Sequence, residues 1–308
     1  MKYSKLGKTG IQVSRLGLGT VELGLDYGIN EPGNFGKPDE EYSTHLLRKA
    51  ADAGINLFDT APAYGCSEEI LGKAFADRDD CVIATKVNIP PENVDMRRFI
   101  GVSLAQSRQE LRRECLDIVQ VHNATSDTFL HSDIFKVLLE EKDVGGIRFI
   151  GASVYDPENA LAAIDSGTID VLQIAYNVLD QRMDEEVLDE AESEGIGILS
   201  RSVYLKGVLT ERAEWLPDHC APLRESVESI KKGMDLTSWE DLSGFALRFA
   251  LSNSQIDSIL VGVRSEAELD FALDTFNKGK LSDDELELAY HCRMDDKFWL
   301  NPSNWGID

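Results

Sequence analysis

The sequence predicts an α/β protein of the (β/α)8, TIM-barrel type, with an N-terminal β-hairpin and extra loops and helices at the C-terminal side. Three observations carry this. Eight short apolar runs of strand length alternate with amphipathic stretches of helical length, the pattern of parallel strands joined by crossover helices. No linker or low-complexity stretch divides the 308 residues, which read as one barrel domain over 1–308. The first strand ends in Gly17-Leu18-Gly19-Thr20, then Val21-Glu22-Leu23-Gly24 and a long loop, with no helix start nearby. An open doubly wound sheet would place its glycine-rich phosphate loop there and open a helix on it, so the closed barrel is preferred.

Residues 2–13 place apolar residues on both sides of Gly7-Lys8-Thr9-Gly10, the pattern of a hairpin that could plug the bottom of a barrel. Strands are expected at 15–19, 56–59, 81–86, 118–122, 149–153, 171–175, 196–200 and 258–262. Helices are expected at 42–53, 68–75, 97–111, 132–142, 157–166 and 184–194. In the first helix Leu46, Leu47 and Ala50 share a face, and in the last Val187, Leu188 and Ala191 do. Gly54, Gly167 and Gly195 follow helix ends, where glycine takes a left-handed conformation cheaply. Pro157 opens a helix, where its missing N–H costs little. Pro32, Gly33, Gly36 and Pro38 make 24–39 an irregular loop at the C-terminal end of the first strand. The segment 281–308, with Phe298, Trp299, Leu300 and Trp305, reads as a tail that packs onto the body.

Composition narrows the function. A net charge of −24 repels phosphate backbones and anionic lipid, which disfavours nucleic-acid and membrane partners. It fits an acidic cytosolic protein, with adaptation to high salt as the alternative. No stretch has the length of a membrane span, and Met1–Gly7 carries no signal-peptide run. The cysteines 66, 81, 115, 220 and 292 are odd in number, scattered and without a CxxC pair. That argues for a reducing, cytoplasmic setting, and against a disulfide framework or a metal cage.

Strand ends carry the chemistry. Asp59 closes one strand and Tyr64 follows it, Lys86 closes the next, and His122 the one after. In a barrel these ends face one mouth. Strand interiors are apolar, so each polar residue there needs a reason. The set suits proton donation to a carbonyl. A free tyrosine, with pKa ~10, is a poor acid near neutral pH. A nearby ammonium lowers that value, and an aspartate keeps the lysine charged and oriented. A neutral imidazole can then hydrogen-bond the substrate oxygen.

The run from Gly54 to Gly72, with Asp59-Thr60-Ala61-Pro62-Ala63-Tyr64-Gly65 at its centre, resembles the signature of the aldo-keto reductases. That family folds as a (β/α)8 barrel and reduces carbonyls with a nicotinamide cofactor. The resemblance runs from about residue 6 to 276 and implies a catalytic tetrad of Asp59, Tyr64, Lys86 and His122. Tyr64 would be the proton donor, Lys86 and Asp59 would lower its pKa, and His122 would orient the carbonyl.

The same resemblance implies cofactor contacts from Gly19, Thr20, Asp59, Ser153, Gln173, Arg201, Ser202, Gly262, Arg264, Ser265 and Glu268. Ser153 and Gln173 match residues that hold the carboxamide, and Val154 stands where Asn is usual. Residues 200–207 resemble the segment that passes the nicotinamide and pyrophosphate. There Arg201 replaces a stacking ring, and Val203 a proline. Residues 261–269 resemble the adenosine-phosphate loop, in keeping with phosphate binding after the seventh and eighth strands of barrels. Arg264 argues for NADP(H), and Glu268, which can accept from a free ribose diol, for NAD(H). Family habit tips the balance to NADP(H).

The expected activity is NAD(P)H-dependent reduction of an aldehyde, ketone or sugar-like carbonyl, by a monomer or weak homo-oligomer. A cofactor-binding, redox-sensing regulatory subunit is the alternative of another class, and a Schiff-base enzyme built on Lys86 is a third. The loop 24–39 carries Asp26, Glu31 and Asp39 against Lys37, with Tyr27 and Phe35, and suggests a mouth suited to neutral polyols rather than carboxylates.

Overall fold

Along a strand, every second side chain faces the same side. Here the inward set runs from apolar at one end to polar at the other: Leu57 then Asp59, Ala84 then Lys86, Ile118 then Gln120, Val171 then Gln173, Leu199 then Arg201. A closed barrel with this parity has a dry lower half and a polar upper mouth. The computed structural model describes residues 1–33 and 36–307 and has that architecture.

The chain opens with a hairpin of β1 (Tyr3–Lys5) and β2 (Gln12–Ser14), paired antiparallel around a 3-10 turn at Gly7–Thr9. The barrel is built from β3 (Leu16–Gly19), β4 (Leu57–Asp59), β5 (Val82–Val87), β6 (Leu116–Val121), β7 (Ile147–Ser153), β8 (Val171–Ala175), β9 (Gly197–Arg201) and β10 (Ser258–Gly262). All neighbours are parallel, and β10 pairs with β3 to close the ring. The surrounding helices are α1 (Val21–Gly24), α2 (Glu40–Asp52), α3 (Ser67–Ala74), α4 (Met96–Leu111), α5 (Ser126–His131), α6 (Ile134–Asp143), α7 (Pro157–Asp165), α8 (Val187–Ser193), α9 (Ala221–Gly233), α10 (Trp239–Ser252), α11 (Glu266–Lys278) and α12 (Asp283–Tyr290).

The hairpin seals the lower end. Leu6, Ile11 and Val13 pack into one cluster with Leu57, Val82, Ala84, Ile118, Val171, Leu199 and Leu260 from the barrel interior. Gly54, Gly167 and Gly195 have φ of 95°, 63° and 67°, as helix-terminating glycines should.

Several boundaries differ from the sequence reading, each for a local reason. Gly19-Thr20 does lead into a helix, the single turn α1, so the expected bare loop begins later. The helix expected at 132–142 is preceded by a separate one, α5, whose Thr125 and Thr128 form a capping box. The helix expected from 184 starts at Val187, because the Asp184 carboxylate is held outside it by the Tyr176 hydroxyl at 3.0 Å and the Asn253 amide at 2.9 Å. The unforeseen α10 buries apolar residues all round (Leu242, Phe245, Leu247, Phe249, Leu251) and so lacks a polar stripe. Its start was legible in the capping box formed by Ser238 and Asp241.

All five cysteines are free. Among the described residues no helix is long and apolar enough to cross a membrane. In the tail, Leu300 and Trp305 are buried as expected, but Phe298 is exposed.

Leu6 is fully buried at the centre of the plug. Leu6→Ala is expected to destabilise the fold by about 2–5 kcal/mol, the usual range for such a deletion. Urea unfolding of the two proteins measures it, and a loss below about 1 kcal/mol would show that the plug is not part of the cooperative core.

Candidate active site

The upper ends of the strands deliver polar side chains by the same parity. Register places Gly19 beside Asp59, Lys86 beside Gln120, Ser153 beside Gln173 and Gly262 beside Gly19. Asp59, Lys86, Gln120, Ser153 and Gln173 are buried. The Lys86 ammonium donates to Asp59 Oδ2 at 2.7 Å and to the Thr60 carbonyl at 2.9 Å. Its third donor faces the Tyr64 hydroxyl, and its nitrogen lies 4.8 Å from the centre of that ring. Asp59 Oδ1 accepts from the Gln120 amide at 3.1 Å and from the Gln173 amide at 2.7 Å. Gln173 in turn accepts from the Ser153 hydroxyl at 3.2 Å.

Tyr64 hangs on the turn after β4. Its placement depends on two glycines in backbone contact. A Cβ on Gly24 would strike the Tyr64 carbonyl, and one on Gly65, whose φ is 59°, would strike the Gly24 carbonyl. Thr20 ties the same wall together, donating from its amide and its hydroxyl to the Asp59 carbonyl at 3.0 and 2.9 Å. His122 lies just past β6, not within it as expected, and meets the Tyr64 ring edge-on at 5.9 Å between centroids.

The electrostatics follow from burial and from charge. Burial pushes the Lys86 pKa down, but Asp59 and Tyr64 outweigh it and hold the pKa above the ordinary lysine value. A lysine held charged, with its donors engaged, is poorly suited to Schiff-base attack. His122 is pushed down to about 3 by burial, then by the Lys86 and Arg201 charges, so its imidazole is neutral near pH 7. Tyr64 corrects one expectation. Burial raises its pKa above the ordinary value, and Lys86 and Arg201 only partly offset this. Asp59 raises it further, so its service to Tyr64 is indirect, through the lysine.

A cleft of about 430 Å³ opens above this network. Gly19, Thr20, Asp59, Tyr64, His122, Arg201, Ser202, Gly262 and Glu268 line it. Lys86, Ser153 and Gln173 lie behind its wall, joined by hydrogen bonds to Asp59 or to one another. Arg264 and Ser265 are not among the lining residues. The Ser265 hydroxyl caps α11 by accepting from the Glu268 amide, and Arg264 pairs with Glu268 at 3.6 Å.

The sequence reading missed Gln120 and Arg212. Gln120 carried a signal, since it lies two residues before His122 and shares its parity. Arg212 carried none, because it comes from the irregular segment between β9 and α9. It bridges Glu22 at 2.9 Å and Glu268 at 3.2 Å across the far end of the cleft.

The loop 24–39 also departs from expectation. Asp39 caps α2, and Asp26 accepts from the Lys37 amide at 2.8 Å. Neither lines the cleft, whereas Tyr27 does. Phe35 lies outside the described residues.

A closed barrel whose mouth joins a phenol, a buried ammonium and a neutral imidazole defines a carbonyl-reducing oxidoreductase. The chain belongs to the Aldo/keto reductase family, whose model matches residues 15–292. It is 30% identical to L-galactose dehydrogenase of Arabidopsis thaliana over 281 residues, covering 86% of this chain and 85% of that protein. It is 29% identical to the NADH-specific methylglyoxal reductase of Escherichia coli over 303 residues, covering 87% and 91%. The solved aldo-keto reductase AKR11C1 from Bacillus halodurans, holo form, shares the fold with a TM-score of 0.80 at 22% identity, covering 96% of this chain and 97% of that one.

His122 supplies a stability test. Between its ordinary pKa of 6.5 and its folded value of about 3, the unfolded chain binds a proton there and the folded one does not. Stability contributed by this site therefore falls as pH drops through that window. The wild type is expected to lose up to ~1.4 kcal/mol per pH unit more than His122→Asn. Urea melts of both proteins at stepped pH read this out, and coincident slopes would mean the imidazole is not held neutral.

Proposed function

We propose that this protein reduces aldehydes or ketones to alcohols with NAD(P)H, and that Tyr64 donates the proton. The observation that carries the proposal is the buried Lys86 ammonium, fixed by Asp59 on one side and facing the Tyr64 hydroxyl on the other. Tyr64 stays protonated near neutral pH, ready to give its proton as charge grows on the carbonyl oxygen. Lys86 then stabilises the phenolate that is left. Neutral His122 donates a hydrogen bond to the same oxygen and sets the carbonyl's direction. Gln120 and Gln173 hold Asp59 so that it holds Lys86. Sugar-like carbonyls are one substrate class within this reading. The five unpaired thiols support a reducing, cytoplasmic setting.

A dinucleotide fits the cleft. The cleft extends from Tyr64 to Glu268 and Ala272, and the Tyr204 hydroxyl on its wall is buried without a protein partner. Gly19, Ser202, Gly262 and Glu268 would hold the cofactor, with Ser153 and Gln173 supporting them from behind. The chemistry the cofactor supplies when bound is a hydride to the carbonyl carbon. NADP(H) is the preferred form. Glu268 does not present a bare charge, since Arg212 and Arg264 both pair with it, and this weakens its repulsion of a 2′-phosphate.

Tyr64→Phe is expected to lower turnover of small aldehydes by about 10²–10⁴-fold, followed as cofactor oxidation. Turnover that survives intact would assign the proton to another group. Titrating tryptophan fluorescence with NADPH and NADH is expected to show NADPH binding tighter, by about tenfold or more. The reverse order would point to Glu268 as a ribose acceptor.

A further inference from the structure

Arg201 is the inward residue at the end of β9, two positions beyond the core residue Leu199. Its side chain is fixed in place. One guanidinium nitrogen donates to the Val154 carbonyl at 3.0 Å and another to the Ser202 hydroxyl at 3.1 Å. The group lies over the Tyr155 ring, with its central carbon 4.1 Å from the centroid. These bonds use two of the five N–H donors of a guanidinium. No carboxylate among the described residues is within ion-pair distance of Arg201. By contrast, Lys86 is paired with Asp59, and Arg212 with Glu22 and Glu268.

A half-buried, immobilised cation without a counter-charge is costly unless a ligand supplies one. Arg201 shares the cleft wall with Tyr64 and His122, and its charge reaches both. A planar fork of donors held beside the reacting groups suits a carboxylate or a phosphate, which it can grip with two parallel bonds. Of the loop 24–39, whose Asp26, Glu31 and Asp39 with Tyr27 suggested a preference for neutral compounds, the acidic residues do not line the cleft and Tyr27 does.

Building on the carbonyl-reduction reading, we propose that Arg201 anchors an anionic group of the substrate, so that this site takes carbonyl compounds that also carry a carboxylate or a phosphate ester.

The same guanidinium could instead grip the pyrophosphate of the dinucleotide, so the experiment has two arms. The first compares 4-carboxybenzaldehyde with benzaldehyde, and glyceraldehyde 3-phosphate with glyceraldehyde, in wild type, Arg201→Met and Arg201→Lys. The wild type is expected to favour the anionic member by about tenfold or more in kcat/KM, mainly through KM. Arg201→Met is expected to cut that ratio about tenfold, and Arg201→Lys to recover part of it. The second arm measures NADPH dissociation constants by tryptophan fluorescence, expected to move less than about threefold in Arg201→Met. A wild-type ratio near one, or a ratio untouched in Arg201→Met, overturns the proposal. NADPH binding weakened about tenfold with the ratio unchanged assigns the guanidinium to the cofactor instead. Loss of benzaldehyde turnover in Tyr64→Phe shows in the same assay that the carbonyl-reduction reading stands even if the anion arm fails. Absence of turnover with every aldehyde overturns that reading, and this inference with it.

Discussion

The active mouth depends on one ion pair, Lys86 with Asp59, closed at 2.7 Å in the upper interior of the barrel. Burying two charges is expensive, and their mutual attraction repays the cost only when every remaining donor and acceptor is satisfied. The surroundings do this in detail. The Thr60 carbonyl takes a second lysine proton, the Gln120 and Gln173 amides saturate the other carboxylate oxygen, and Ser153 braces Gln173. The lysine is left with a single donor direction, toward Tyr64. A buried ion pair of this kind adds little to stability and much to orientation.

From that arrangement the other protonation states follow. Burial keeps the proton on the phenol and off the imidazole, and the fixed Lys86 charge moderates the first shift while reinforcing the second. The two residues facing the carbonyl thus arrive in complementary states, an acid with a proton to give and a neutral donor. Apolar packing below serves the same end. The hairpin and the inner layer of Leu, Val and Ile side chains exclude water from beneath the pair, so its field is directed upward into the cleft.

Much of this was legible in the sequence because it rests on short-range rules. Strand alternation marked the strand ends, and left-handed glycines marked the helix ends. Asp59, Lys86 and His122 declared themselves as polar residues at strand ends, and Tyr64 by following the first of them within a family-like signature. Gln120 obeyed the same parity and was overlooked, since an amide inside an apolar strand looks like a packed core residue. Helix α10 was hidden by being buried all round. Arg212 and the neutralisation of Glu268 could not be read at all, because they join segments separated by 190 and 56 residues through an irregular stretch. The rise in the Tyr64 pKa was equally out of reach, since desolvation depends on the completed fold.

The parity that carries polar groups upward and apolar groups downward has an evolutionary corollary. Adding or deleting one residue within β5 would turn Lys86 toward the helices and bring Thr85 or Val87 inside, emptying the mouth in one step. Changes in the connecting loops would leave that facing intact. Length changes that leave the centre intact are therefore confined to the segments between strands, where the rim can be remodelled without moving the inward-facing set.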